Sequence, residues 1–99
     1  MCKITIRQLV HCNGDSLYMQ CHSGTKIKID HAEFGRRSPH FCPGANSTTT
    51  TTCQASSALR RVTFICQGRP HCLLRISTEL FGDPCPGVAK YLLVRYFCD

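Results

Sequence analysis

Acidic residues are scarce in this chain: six Asp and Glu stand against twelve Lys and Arg in 99 residues. That scarcity speaks against a carboxylate-rich calcium loop and against a glycosidase-type carboxylate pair. No apolar run approaches the roughly 20 residues of a membrane-spanning helix, so membrane insertion is not expected. The opening stretch Met1-Cys2-Lys3-Ile4-Thr5-Ile6-Arg7 carries no apolar signal-peptide core, and the chain is expected to be a mature domain. Neither Cys-x-x-Cys nor a close His pair occurs, which removes the usual structural-zinc spacings. A nucleophile-elbow motif is also missing, and no segment repeats.

Cysteine, by contrast, is abundant, with nine residues. This density is typical of short secreted scaffolds, whose small cores gain from covalent staples. Secretion into an oxidising, extracellular compartment is therefore expected. Nine is odd, so at least one thiol has no partner within the chain and is either free or bonded to another chain. Eight paired cysteines allow on the order of a hundred connectivities, and counting does not choose among them. A cysteine nucleophile needs a free thiolate beside a base. Here the thiols are expected to be consumed by pairing, so no enzyme activity is expected. His11, His22 and His71 each adjoin a cysteine (Cys12, Cys21, Cys72). In extended chain, neighbours point to opposite faces: the cysteines inward, the histidines to water. No metal and no other cofactor is expected. The net charge of +6 favours anionic partners such as sulfated glycans or acidic proteins. The compartment argues against nucleic acid. Lys26, Lys28, Arg36, Arg37, Arg60 and Arg61 are expected to solvate exposed faces unless the fold makes several converge.

One domain is expected over 1–99, with its core at about 4–98. Residues 4–10 and 16–21 read as strands around the turn Asn13-Gly14-Asp15. In residues 26–30, alternation places Ile27 and Ile29 on one face and Lys26 and Lys28 on the other. With the turn Ser23-Gly24-Thr25, segments 16–21 and 26–30 read as a hairpin. Residues 35–53, with a run of five Thr, read as a long loop tied down by Cys42 and Cys53. Asn46-Ser47-Thr48 is an N-glycosylation sequon, making Asn46 a glycosylation candidate. Residues 54–67 carry the one helical pattern, with Ala55, Ala58, Leu59, Val62 and Cys66 on one face, and Gly68 and Pro70 following. Strands are expected at 72–77 and, most strongly, at 90–98.

The most informative stretch runs Leu80-Phe81-Gly82-Asp83-Pro84-Cys85-Pro86-Gly87-Val88-Ala89-Lys90-Tyr91, continuing to Cys98. Prolines, glycines and a cysteine make a pinned loop that presents Asp83 and Lys90. Such a fixed carboxylate and ammonium can accept from and donate to neighbouring hydroxyls of a sugar ring. They can equally form a salt bridge with each other, worth little at a surface.

This stretch resembles the C-terminal signature of the sea-urchin-egg-lectin type domain, a family that includes fish-egg rhamnose-binding lectins and the lectin-like domain of latrophilin. His11-Cys12-Asn13-Gly14 and Ala32-Glu33-Phe34-Gly35-Arg36 are similar to two further family motifs, Ala-Cys-Glu-Gly and Ala-Asn-Tyr-Gly-Arg. Eight of the cysteines match in order and approximate spacing. The resemblance implies an α+β, mainly β fold: two small antiparallel sheets of about five strands in all, one helix and long loops. It also implies the pairs Cys12–Cys42, Cys21–Cys98, Cys53–Cys85 and Cys66–Cys72. Cys2 is left over and is the candidate for an interchain bond in a homodimer.

The resemblance further implies metal-independent binding of galactosides or L-rhamnose-type sugars on cell surfaces or glycoproteins. Of the family's sugar-binding positions, Asp83 and Lys90 are retained, with Gly87 in the same loop. Asn13 stands in place of a Glu, Phe34 of a Tyr, Thr78 of an Asn, and Ala89 of the Tyr before the Lys. Asn13 loses a charge-assisted acceptor, and Phe34 keeps a ring for the sugar's C–H face while losing a hydroxyl. Two or three lost polar contacts weaken binding by roughly tenfold to several hundredfold. The alternative function is an adhesion or co-receptor module that binds a protein or heparin-like glycan through its basic surface.

Overall fold

The computed structural model describes residues 4–44 and 52–99. In chain order the elements are β1 (Arg7–Cys12), β2 (Ser16–Gln20), β3 (Ile27–Arg36), β4 (Cys53–Gln54), α1 (Ala58–Cys66), β5 (His71–Arg75), α2 (Thr78–Phe81) and β6 (Tyr91–Cys98). Two antiparallel sheets result, one ordered β1-β6-β3-β4 and the other pairing β2 with β5. The family pattern of two sheets stapled by four disulfides is therefore present.

The unbroken apolar run in β6 suits an interior strand. Leu92, Val94 and Tyr96 enter the core, while Tyr91 and Leu93 are buried on the other side. In β2, Leu17 and Met19 point inward and Tyr18 outward; in β5, Cys72 and Leu74 point inward and Leu73 outward. Two strands with one apolar face each thus make a thin sheet that covers the core. From α1, Ala58, Val62 and Cys66 fill the space between this sheet and β3.

Several expectations need correcting. Segments 16–21 and 26–30 do not form a hairpin. A turn does exist, since Thr25 N–H donates to the His22 carbonyl at 3.0 Å, but the chain then crosses into the other sheet. Ile27 exchanges backbone bonds with Gly68 and Arg69, and Lys26 pairs with Asp99. Cys21 is bonded to Cys98, so the second segment aligns with β6, whose inward residues match Ile27, Ala32 and Phe34. Strand β3 also extends to Arg36, into the stretch read as loop.

The helix begins at Ala58 rather than at 54, because Cys53 and Gln54 are held in strand pairing with Arg36 and Gly35. Leu59, placed on its apolar face, is instead 43% exposed. The second helix, α2, is a single turn capped by Ser77, whose hydroxyl accepts from Leu80 N–H at 3.2 Å. Four residues are too few to leave a periodic trace. Six strands stand where about five were expected, the extra one being the two-residue β4. Cys2 and Asn46 lie outside the described residues. No described helix is long and apolar enough to cross a membrane.

Candidate functional site

Three connections meet at one end of the two sheets. The first is the turn between β1 and β2. Asp15 N–H donates to the Cys12 carbonyl at 3.0 Å, and Gly14 takes φ 96° at the third turn position, a conformation that favours glycine. The second leads from β5 into α2. Gly14 N–H donates to the Ile76 carbonyl and Ile76 N–H to the Asp15 carbonyl, both at 2.9 Å. The third is the loop of residues 82–90. Asn13 N–H donates to the Lys90 carbonyl at 2.9 Å, directly beyond the last β1–β6 pair, Cys12 with Tyr91.

Lys90 is the centre of this junction. Its side chain is buried, with 6% exposure. The ammonium lies 3.0 Å from Asp83 Oδ1 and donates to the carbonyls of Cys85 at 3.1 Å and Val88 at 2.7 Å. An ammonium has three hydrogens, and three acceptors surround this one. Asp83 Oδ1 also accepts from Cys85 N–H at 3.2 Å, a turn that Asp makes through its own side chain. The predicted pair therefore exists as an ion pair, and Lys90 is a clamp that shapes the loop. Asp83 remains partly exposed.

The flanking residues divide between two grooves. Asn13 and Thr78 line one with Gly14, Arg75 and Glu79. Asp83 lines the other with Phe81, Gly82, Ser56 and Ser57. Gly87 lies exposed in the third loop at φ 81°. Phe34 occupies a different place from the one expected for a sugar-stacking ring. It has no exposed surface, and its ring stacks on Phe81 with centroids 4.8 Å apart. It supports the groove that contains Asp83 from beneath.

Arg36, expected among the solvated cations, is instead fully buried. Its Nε donates to the Ala89 carbonyl at 2.6 Å, and its other two nitrogens donate to the carbonyls of Ser38 and Cys42. The guanidinium carbon lies 5.5 Å from the centre of the Tyr91 ring, within cation–π range. The Tyr91 hydroxyl accepts from Arg37 and Ser38 N–H. Two disulfides reinforce the same region: Cys12–Cys42 beside Asn13, and Cys53–Cys85 inside the third loop. The other two staple the far end of the sheets and the α1–β5 connection.

Farther along β3, Glu33 accepts from His31 Nε2 at 2.8 Å and lies 3.6 Å from Arg37. Burial works against its ionisation. The bond from His31, the charges of Arg37 and His31 and a bond from Gln54 outweigh that, holding its carboxyl below the ordinary value. His22 and His71 are exposed beside buried Cys21 and Cys72. Among the described residues no three His, Cys, Asp or Glu side chains are grouped to hold a metal ion.

The family model of the D-galactoside/L-rhamnose binding SUEL lectin domain matches residues 19–98. The L-rhamnose-binding lectin ELEL-1 of Echinometra lucunter is 39% identical over 89 residues, covering 89% of this chain and 86% of its own. The D-galactoside-specific lectin of Heliocidaris crassispina is 39% identical over 90 residues, with 89% and 86% covered. Latrophilin Cirl of Drosophila mojavensis is 33% identical over 88 residues, which are 88% of this chain and 5% of that much longer protein.

Proposed function

The chain belongs to the SUEL lectin domain family, and on that premise we propose that it is a secreted, metal-independent lectin for galactosides or L-rhamnose-type sugars. The observation that carries this reading is the Asp83–Lys90 pair at 3.0 Å. A buried ammonium with all its hydrogens engaged holds the carboxylate in one orientation before any ligand arrives. Preorganisation of this kind removes part of the ordering cost of binding. Asp83 Oδ2 then accepts from adjacent ring hydroxyls, and charge-assisted bonds of this type are roughly twice as strong as neutral ones. Asn13 and Thr78 supply neutral donors and acceptors from the neighbouring groove.

The relatives' names point to the same two sugars. The task of this site is binding, and it calls for no metal and no turnover. A glycan-binding assay tests the reading, with free galactose and rhamnose as competitors and with and without a chelator. Binding that both sugars displace, that survives chelation and that is lost in Asp83→Ala supports it. No binding to any neutral glycan at high concentration overturns it. Linkage of two domains through Cys2 would give a bivalent agglutinin, since tethering raises avidity without new contacts. A non-reducing gel showing only monomer excludes that arrangement.

A further inference from the structure

On the outer face of α1, large apolar surface and unpaired charge coincide. Phe64 is 89% exposed. Leu59, Arg60, Thr63 and Phe64 line a groove on one side of it, together with Ser56. Arg60, Arg61, Phe64, Ile65 and Leu80 line another on the other side. Arg60 and Phe64 are four residues apart on α1 and so stand one above the other, forming a ridge between the two grooves. Neither guanidinium, Arg60 or Arg61, is in an ion pair with a described residue, and no acid lines either groove. Glu79, on the adjacent turn, lines the Asn13–Thr78 groove instead.

We propose that this face docks an acidic protein segment carrying a bulky apolar side chain. Charge selects the sign of the partner: Arg60 and Arg61 lack acids of their own on a chain of net charge +6. A second copy apposed by a two-fold axis would bring like charge against like, which disfavours self-association here. The apolar walls select the chemistry. A sulfated glycan would neutralise the arginines and leave Phe64, Leu59 and Leu80 in water. A peptide with Asp or Glu flanking a Leu or Phe satisfies both, placing its anchor beside Phe64 and its carboxylates on Arg60 and Arg61 in two-pronged bonds. An aromatic and an arginine side by side are also the residue types in which binding energy concentrates at protein interfaces. Ser56 lines both this face and the groove of Asp83, so the docking face adjoins the sugar site proposed above.

The test titrates the full chain into a fluorescently labelled synthetic peptide of alternating Glu and Ser with one Leu and one Phe, read by anisotropy. In parallel, amide shifts of the isotope-labelled chain are mapped by NMR. The proposal expects shifts confined to 56–65 and Leu80. It also expects at least about tenfold weaker binding in both Arg60→Glu and Phe64→Ser, and for a peptide with Leu and Phe replaced by Ser. No peptide binding, equal binding of the peptide without apolar residues, or shifts elsewhere overturns the proposal. Capture of heparin or of phosphatidylserine vesicles through this face without peptide binding also overturns it, in favour of a polyanion or a lipid surface.

Discussion

Arg36 Nε donates to the carbonyl of Ala89 at 2.6 Å, one residue before the Lys90 that clamps Asp83. A buried cation on β3 thus fixes the point at which the loop of Asp83 and Lys90 enters β6. Its charge is met by three carbonyls and the Tyr91 ring rather than by a carboxylate. The planar fork of guanidinium reaches acceptors spread around its rim, whereas an ammonium needs them to converge on one point, as they do at Lys90. Arg36→Lys is therefore expected to lower unfolding stability by about 2–4 kcal/mol through lost charge-assisted bonds. Urea denaturation of the oxidised protein measures this, and a loss below about 0.5 kcal/mol contradicts the assigned role.

Asp83 and Lys90 are expected to fail differently. Asp83→Asn keeps an oxygen for the Lys90 ammonium and the Cys85 N–H while removing the charge, so it should weaken sugar binding by roughly five- to tenfold per bond made neutral and cost less stability than loss of the ammonium. Lys90→Met leaves the carbonyls of Cys85 and Val88 without their donor, so both loop order and affinity should fall. Calorimetric titration with galactose or rhamnose, paired with thermal unfolding, separates the two outcomes. Equal destabilisation by both variants would contradict the clamp.

Much of this arrangement was legible in the sequence, for physical reasons specific to each residue. Prolines and glycines around Cys85 leave the loop few conformations, so the approach of Asp83 to Lys90 followed from local chemistry. The disulfide pairing came from the family resemblance, and the four bonds are as it implied. Burial of Arg36 was not legible, because its acceptors lie on segments far apart in sequence: Ser38 and Cys42 beyond β3, and Ala89 before β6. The β2–β5 pairing was hidden similarly. Local alternation marks both strands, but only the core contributed by distant segments decides which strand each one joins. Phe34 lies beyond a register shift between Ile29 and His31 that turns Ala32 and Phe34 to the core face Ile27 occupies, and such a shift leaves no mark in local alternation.

Gly35 should not tolerate a side chain. It is buried with φ 147°, and an added Cβ would collide with the carbonyl oxygen of Cys53 in the adjacent strand. Because that oxygen is backbone and Cys53 is bonded to Cys85, neither can withdraw easily. Gly35→Ala is expected to cost about 1–3 kcal/mol and to loosen the third loop through the disulfide. Denaturation midpoints and hydrogen exchange at Gln54 and Cys85 report both effects; an unchanged midpoint contradicts the close approach.

Glu33 gives the protein an acid-sensitive contribution to stability. Its carboxyl titrates below its ordinary value of 4.5 in the folded chain, because the favourable bond from His31 and charge of Arg37 outweigh burial. The unfolded chain lacks these contacts and binds the proton more readily. The stabilisation is therefore complete above the unfolded value and is lost as pH falls through the lower folded value. Glu33→Gln should be less stable than the native chain at pH 7, with the difference closing below about pH 4.5. Paired urea titrations from pH 7 to pH 3 measure this, and a gap that widens on acidification contradicts it.

Asn13 is the position at which sugar affinity should be most readily raised. Its amide N–H is anchored on the Lys90 carbonyl and its side chain lies exposed in the groove with Thr78, so replacement leaves the backbone bond intact. The family motif that His11-Cys12-Asn13-Gly14 resembles has Glu here. Asn13→Glu would place a charged acceptor in the groove that Asn13 and Thr78 line, where it can bind hydroxyls that a neutral amide holds weakly. Charge-assisted bonds exceed neutral ones by about 1 kcal/mol or more, so affinity should rise roughly five- to tenfold. The sugar is uncharged, so the gain is expected to change little as ionic strength rises. Titrations of Asn13→Glu with galactose and rhamnose at two salt concentrations check both parts, and unchanged or lower affinity contradicts the placement of Asn13 at the sugar.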